Sequence, residues 1–236
     1  MRLDFRGERV LAVVAHPDDA ELLCAGTLAR AKRDGAAIGV CVLCKGDKGQ
    51  PSTPIPNLAD VRRQEMTAAA ALLGAELLTG EFSDGELDDG TAERQKLIAL
   101  YRQFRPTLVL AHAPCDYHPD HRAASALAEA ASWFAASGGY LPQHKALESQ
   151  PQLWWIDAIN MLGFEPGFYV DVTPFAQLKH QMLHCHKSQL ARWADRDFSP
   201  LEELMRGQYT ARGAQAGVTA AEAFRVHPVW KRTRAW

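Results

Sequence analysis

His16, Asp18 and Asp19 stand around Pro17 directly after an apolar run at residues 10–14. A second cluster, His118, Pro119, Asp120 and His121, follows another apolar run at 107–111. Imidazole and carboxylate without thiolate suit Zn²⁺ or Fe²⁺ and argue against a closed structural zinc centre, which recruits cysteines. Catalytic centres keep three protein ligands and one open position, and His16, Asp19 and His121 supply that count. Pro17 stiffens the turn between the first two ligands, and their three-residue offset aims both at one ion where a helix begins. Pro119 fixes φ at the first position of a second helix, so His118 and His121 meet at its start. Asp18, near the ion but not spent on it, has the place of a general base for water, whose pKa zinc lowers to roughly 7. His118 is the candidate to donate a hydrogen bond to a developing oxyanion or a proton to a leaving group. Asp120 is placed to orient one of the imidazoles. Together these parts describe metal-assisted hydrolysis of an acyl bond. His112, His144, His180 and His227 have no such company and read as ordinary surface or core histidines. Glu21 favours the helix N-terminus electrostatically or buttresses the site.

Both clusters require a buried strand that ends, and a helix that begins, at the right place. Residues 10–15 read as a strand, 20–34 as the helix after it, and 38–44 as a second strand. A Gly/Pro-rich loop spans 45–57, and loops of that length beside a sheet are commonly functional. Helices are predicted over 60–73, 91–104 and 119–136, and strands over 76–78 and 107–111. Further on, 153–159 and 167–172 read as strands, 174–192 and 199–206 as helices. This alternation predicts a single α/β domain over 1–236, Rossmann-like, with a mostly parallel sheet flanked by helices on both faces. No G-x-G-x-x-G follows the first strand, so a dinucleotide site is not expected. No G-x-S-x-G elbow for serine-hydrolase chemistry is present either.

Composition narrows the class further. With 26 basic against 28 acidic residues, the 236-residue chain has no charge bias toward nucleic acid or an anionic membrane. The basic, aromatic segment 230–236 reads as a frayed terminus or a subunit contact rather than a nucleic-acid groove. No apolar run is long enough for a membrane span, no signal-peptide apolar region opens the chain, and a cytoplasmic protein is expected. The five cysteines, an odd number in apolar surroundings, suit reduced thiols. Cys41 and Cys44 have redox or zinc spacing, but strand alternation is expected to turn them to opposite faces as buried thiols.

The two clusters and the order between them resemble the PIG-L/LmbE-like zinc-dependent N-acetylglucosaminyl deacetylases. The likeness continues in Arg62-Arg63-Gln64-Glu65, in Leu73-Gly74, in Asp84-Gly85, in His186-Lys187-Ser188-Gln189, and in the segment from Gly217 to Phe224. The resemblance implies an amidase that removes the N-acetyl group from a small glucosamine-containing molecule, uses zinc or iron(II), and assembles as a homo-oligomer. It implies the same roles for His16, Asp19, His121, Asp18 and His118, and it adds Arg62 near the substrate and Asp84 at sugar hydroxyls. Arginine offers a fork of donors, and aspartate accepts from hydroxyls. Leu22-Leu23-Cys24-Ala25 departs from the glycine-rich family pattern and is expected to tighten packing at the site entrance. Trp154 and Trp155 read as buried sheet residues in preference to a sugar-stacking platform, and His186 has no assigned role. Hydrolysis of another amide or a phosphoester at the same ion is the enzymatic alternative. A catalytically silent sugar-binding protein is the non-enzymatic one.

Overall fold

The computed structural model describes residues 3–194 and 200–228. The segment 230–236 and Ser199 lie outside the described residues. Strand β1 (Arg9–Val14) is followed by the short helix α1 (Asp19–Leu23) and by α2 (Ala25–Arg33). Then come β2 (Ala37–Cys44), α3 (Leu58–Leu73), β3 (Glu76–Phe82), α4 (Thr91–Phe104), β4 (Leu108–His112) and α5 (Pro119–Phe134). The remainder is β5 (Gln152–Ile156), β6 (Phe168–Asp171), α6 (Ala176–Leu183), α7 (Lys187–Leu190), α8 (Leu201–Ala216) and β7 (Ala221–Val226).

One sheet runs β3-β2-β1-β4-β5-β7-β6 and is mostly parallel, as the strand and helix alternation predicts. Its first five strands are parallel, and β7 pairs antiparallel with both β5 and β6. Burial on both faces follows from the pleat of β1. Val10, Ala12 and Val14 point into one core cluster with Leu28 and Ile38, while Leu11 and Val13 point into another with Leu97, Val109 and Leu127. Strands apolar at every position are what such a sandwiched sheet requires.

Several expected boundaries are corrected. The helix expected over 20–34 breaks at Cys24, where φ −148° and ψ 4° are not helical. The strand expected over 76–78 extends to Phe82 through an irregularity at which Glu81 has φ 70°. The helix expected over 174–192 is interrupted after α6, and His186 precedes the separate turn of α7. The helix expected to end at 206 continues to Ala216, and β7 was not anticipated as a strand. Trp154 and Trp155 are buried in β5, each 3% exposed. Cys41 and Cys44 do not separate as alternation predicts. Cys44 is the last residue of β2, where the ladder with β3 is irregular, and both join one core cluster as free, buried thiols. No helix among the described residues is long and apolar enough to cross a membrane.

Candidate metal centre

The sheet order reverses between β1 and β4, and the loops after their C-terminal ends open a crevice there, where open α/β sheets bind ligands. His16, Asp18 and Asp19 arrive from β1 and α1, and His118, Asp120 and His121 from the start of α5. His16 Nδ1 lies 3.3 Å from His121 Nε2 and 3.6 Å from Asp19 Oδ2. The third edge, His121 Nε2 to Asp19 Oδ2, is 3.4 Å. Ligand atoms about 2.0–2.1 Å from a tetrahedral ion stand about 3.3 Å apart, so the donor set and its spacing fit a zinc-type ion.

The imidazoles of His16 and His121 are each oriented by a carboxylate. Asp120 Oδ2 lies 2.8 Å from His16 Nε2, and Asp116 Oδ1 lies 3.0 Å from His121 Nδ1. These contacts leave His16 Nδ1 and His121 Nε2 for an ion. Asp120 also accepts from Gly85 N–H at 2.8 Å, which ties the β3 loop to the centre. Burial works against charge on His16, yet hydrogen bonds to Asp120 and Asp19 outweigh it and raise its pKa to about 10. Asp19 is likewise opposed by burial, but His121 and His112 hold it well below the usual carboxylate range.

His118 caps α5: its Nδ1 accepts from Asp120 N–H at 3.2 Å, so the ring proton resides on Nε2. Burial, with the neighbouring His16 and His121, lowers its pKa and keeps the ring neutral. That makes it a hydrogen-bond donor beside the His/Asp cluster. Asp18, 5% exposed, accepts from Gln189 Nε2 at 2.9 Å, and burial followed by the charge of Asp19 raises its pKa to about 7. A carboxylate poised near neutrality suits proton transfer.

The segment from His186 to Gln189 braces Asp18. Glu65 accepts from Ser188 N–H at 2.8 Å and Ser188 Oγ–H at 2.7 Å, while Arg62 Nη2 donates to Gln189 Oε1. His186 is fully buried, with Nε2 3.4 Å from Glu21 Oε1, an ion-pair distance without hydrogen-bond alignment. Glu21 therefore faces His186 behind the site.

Arg62 and Asp84 both line the cavity of about 650 Å³ that surrounds the cluster. Arg62, expected near the substrate, spends donors on protein. Nη1 reaches Gly46 O at 2.8 Å, Nη2 reaches Gly49 O at 2.7 Å, and Nε reaches Ser188 Oγ at 3.2 Å. Asp84 accepts Gly46 N–H at 2.8 Å and Lys48 N–H at 3.3 Å. The two residues, with Arg62 Nη1 4.0 Å from Asp84 Oδ2, together hold the first part of the loop at 45–57. Leu22 and Leu23 form part of the cavity wall, where tighter packing was expected.

Two contributors escaped the sequence reading. His112, fully buried, stacks on His121 with ring centroids 3.9 Å apart, and its Nε2 accepts from Ala15 N–H at 3.1 Å. Its signal was its place at the end of the strand feeding the second cluster. Asp116 lies five residues before His121, on the loop into the same helix. Cys44 also comes within reach of His16 and Asp120.

A Rossmann-like sheet bearing a His/Asp cluster at its switch point defines an α/β protein whose donor set there fits a divalent ion. The chain belongs to the PIG-L family (GlcNAc-PI de-N-acetylase), whose pattern matches residues 11–132. It is 28% identical to a 4-oxalmesaconate hydratase of Pseudomonas putida over 223 residues, 89% of this chain and 83% of the relative. It is 26% identical to a diacetylchitobiose deacetylase of Thermococcus kodakarensis over 192 residues, 77% of this chain and 70% of the relative. The crystal structure of a protein from Thermus thermophilus superposes with TM-score 0.80 at 31% identity, covering 96% of this chain and all of that one.

Proposed function

We propose that the chain is a metal-dependent N-deacetylase of a small N-acetylated amino sugar, releasing acetate and a free amine. The observation that carries this reading is the mutual approach of His16 Nδ1, Asp19 Oδ2 and His121 Nε2 to 3.3–3.6 Å, with Asp18 beside them. A divalent ion held by these three residues, zinc or iron(II), supplies Lewis-acid polarisation of the acyl carbonyl and acidifies water. Asp18 takes the proton of the attacking water as the new C–O bond forms. His118 donates its Nε2–H to the oxygen on which negative charge develops. When the C–N bond breaks, Asp18 returns its proton to the leaving nitrogen, which departs as the amine. Asp120 holds His16 throughout, and Arg62 keeps the loop at 45–57 in place. The lone pairs of Asp84 not used by the loop are available to sugar hydroxyls.

Acetate release from a panel of N-acetylated glucosides, with and without chelator, tests this reading. Metal-dependent release from at least one is expected. No release from any, or release indifferent to chelation, would overturn it. The hydratase relative supports a second reading, addition of water to an unsaturated carboxylate at the same centre. Loss of the substrate's absorbance without acetate would favour that reading, and phosphate release from a phosphoester reporter would favour a third. We further propose that the enzyme works as a homo-oligomer, for which light scattering at the mass of one chain would be the contrary result.

A further inference from the structure

The break between α1 and α2 is built by residues remote in sequence. Cys24, the residue before α2, makes no side-chain cap. The carboxylate of Glu222, on β7, takes that role. It accepts from Gly26 N–H at 3.0 Å and from Thr27 N–H at 2.7 Å, across 196 and 195 residues. These are the amides a local capping side chain would serve, at the end of a helix that favours negative charge. On the other side of the break, Lys179 of α6 donates to Leu22 O at 3.2 Å, a carbonyl left over where α1 ends. Lys179 Nζ also bonds Glu222 Oε1, and the two side chains are 1% and 2% exposed. β7 and α6 thus grip both lips of the break.

An ion pair buried this deeply stabilises a fold little more than apolar residues of the same size would. Its placement supplies another reason. A helix of five residues does not hold its own direction, yet α1 begins with Asp19 and follows Asp18. Its N-terminal side is fixed by the turn in which Asp19 Oδ2 accepts His16 N–H at 2.8 Å. The other end is fixed from outside, by Lys179 on Leu22 O. A Cβ on Gly26 would meet Val172 Cβ at 2.6 Å and Glu222 Oε1 at 3.0 Å, so the start of α2 also sits directly on its neighbours. We propose that Lys179 and Glu222 are positioning residues, which set the direction of α1 and thereby aim Asp19 at the ion and Asp18 at the substrate. The proposal rests on the reading of Asp19 as a metal ligand.

Lys179→Met and the double variant Lys179→Met/Glu222→Gln test it. The double variant removes both charges but keeps an oxygen for the α2 amides. Leu127→Ala, a cavity in the other core cluster, is the comparator, with each protein measured at the same interval below its Tm. Both Lys179 variants are expected to bind zinc at least tenfold more weakly than Leu127→Ala, and to lose kcat with KM within twofold. In metal-free protein their amide hydrogens at residues 19–28 should exchange at least tenfold faster. Zinc affinity equal to the comparator's overturns the proposal, and full affinity in the double variant means that the pair only balances charge. Unchanged exchange at 19–28 overturns it without any metal present. A wild-type protein that binds no zinc refutes the metal reading instead, and the exchange measurement still decides the positioning role.

Discussion

Asp18 is held at φ 98°, a left-handed conformation that an aspartate adopts at a cost. Burial, the charge of Asp19 and this strained backbone all work against a carboxylate here, as expected where function rather than stability selects the residue. Asp18→Ala should abolish turnover and leave metal bound; loss of the metal would reassign Asp18 as a ligand. Asp18→Gly should be equally inactive yet more stable than Asp18→Ala by about 1 kcal/mol, because glycine relieves the left-handed strain. Denaturant midpoints of the two variants check this. His118 combines a cap with its proposed chemistry, and the two can be separated. His118→Ala should lower kcat by about 10²-fold and stability by about 1 kcal/mol. His118→Asn, which can still cap Asp120 N–H, should keep stability while kcat stays low. An unchanged kcat in either variant removes His118 from the mechanism.

The elements that carry the proposed ligands were legible because their signals are local. Apolar runs ending in His-Pro-Asp-Asp and preceding His-Pro-Asp-His give the strands, the turns and the helix starts. The breaks at Cys24 and after α6 were not legible, because their causes lie elsewhere in the chain: Glu222 and Lys179 at the first, Glu65 and Arg62 at the second. Arg62 illustrates the limit. Its position near the site could be anticipated, but its partners are backbone carbonyls of Gly46 and Gly49, which no side-chain pattern announces. Arg62→Lys should therefore fail to substitute, since an ammonium lacks the planar fork. We expect a loss of about 2 kcal/mol or more and faster proteolysis within 45–57; an unaltered cleavage rate would contradict the clamp. A second link, Arg63 to Glu81, joins α3 to the β3 irregularity, and its hydrogen bond lowers Glu81 to about 2. A lowered carboxyl pKa stabilises the fold above the ordinary value near 4.5 and ceases to do so as pH falls toward 2. The pair is surface-exposed, so its worth is below about 1 kcal/mol. The stability difference between wild type and Glu81→Gln should be flat above pH 5 and shrink at acid pH; a difference growing on acidification would contradict the assignment.

For the whole molecule, the site draws on nearly the full length of the chain, from His16 to Glu222. The parallel half of the sheet supplies the proposed metal ligands, and the antiparallel extension supplies the residues proposed to steady them. Among the described residues β6 pairs with the sheet only through β7, which is inserted between it and β5. A chain ending at residue 216 should therefore lose β6 as well as β7 from the sheet, and with them the grip on α1. Circular dichroism showing a greater strand loss than β7 alone accounts for would bear this out, whereas a native-like β6 would contradict it.

The order of synthesis gives that insertion a biological edge. On the ribosome β5, with its two tryptophans, emerges some 70 residues ahead of β7, the strand that covers its other side. Until β7 arrives, the nascent protein displays a sticky, unpaired border open to other chains. Competence for catalysis and protection from aggregation thus come in one late event, so conditions that slow translation or shorten the message should yield insoluble protein before they yield a merely sluggish enzyme.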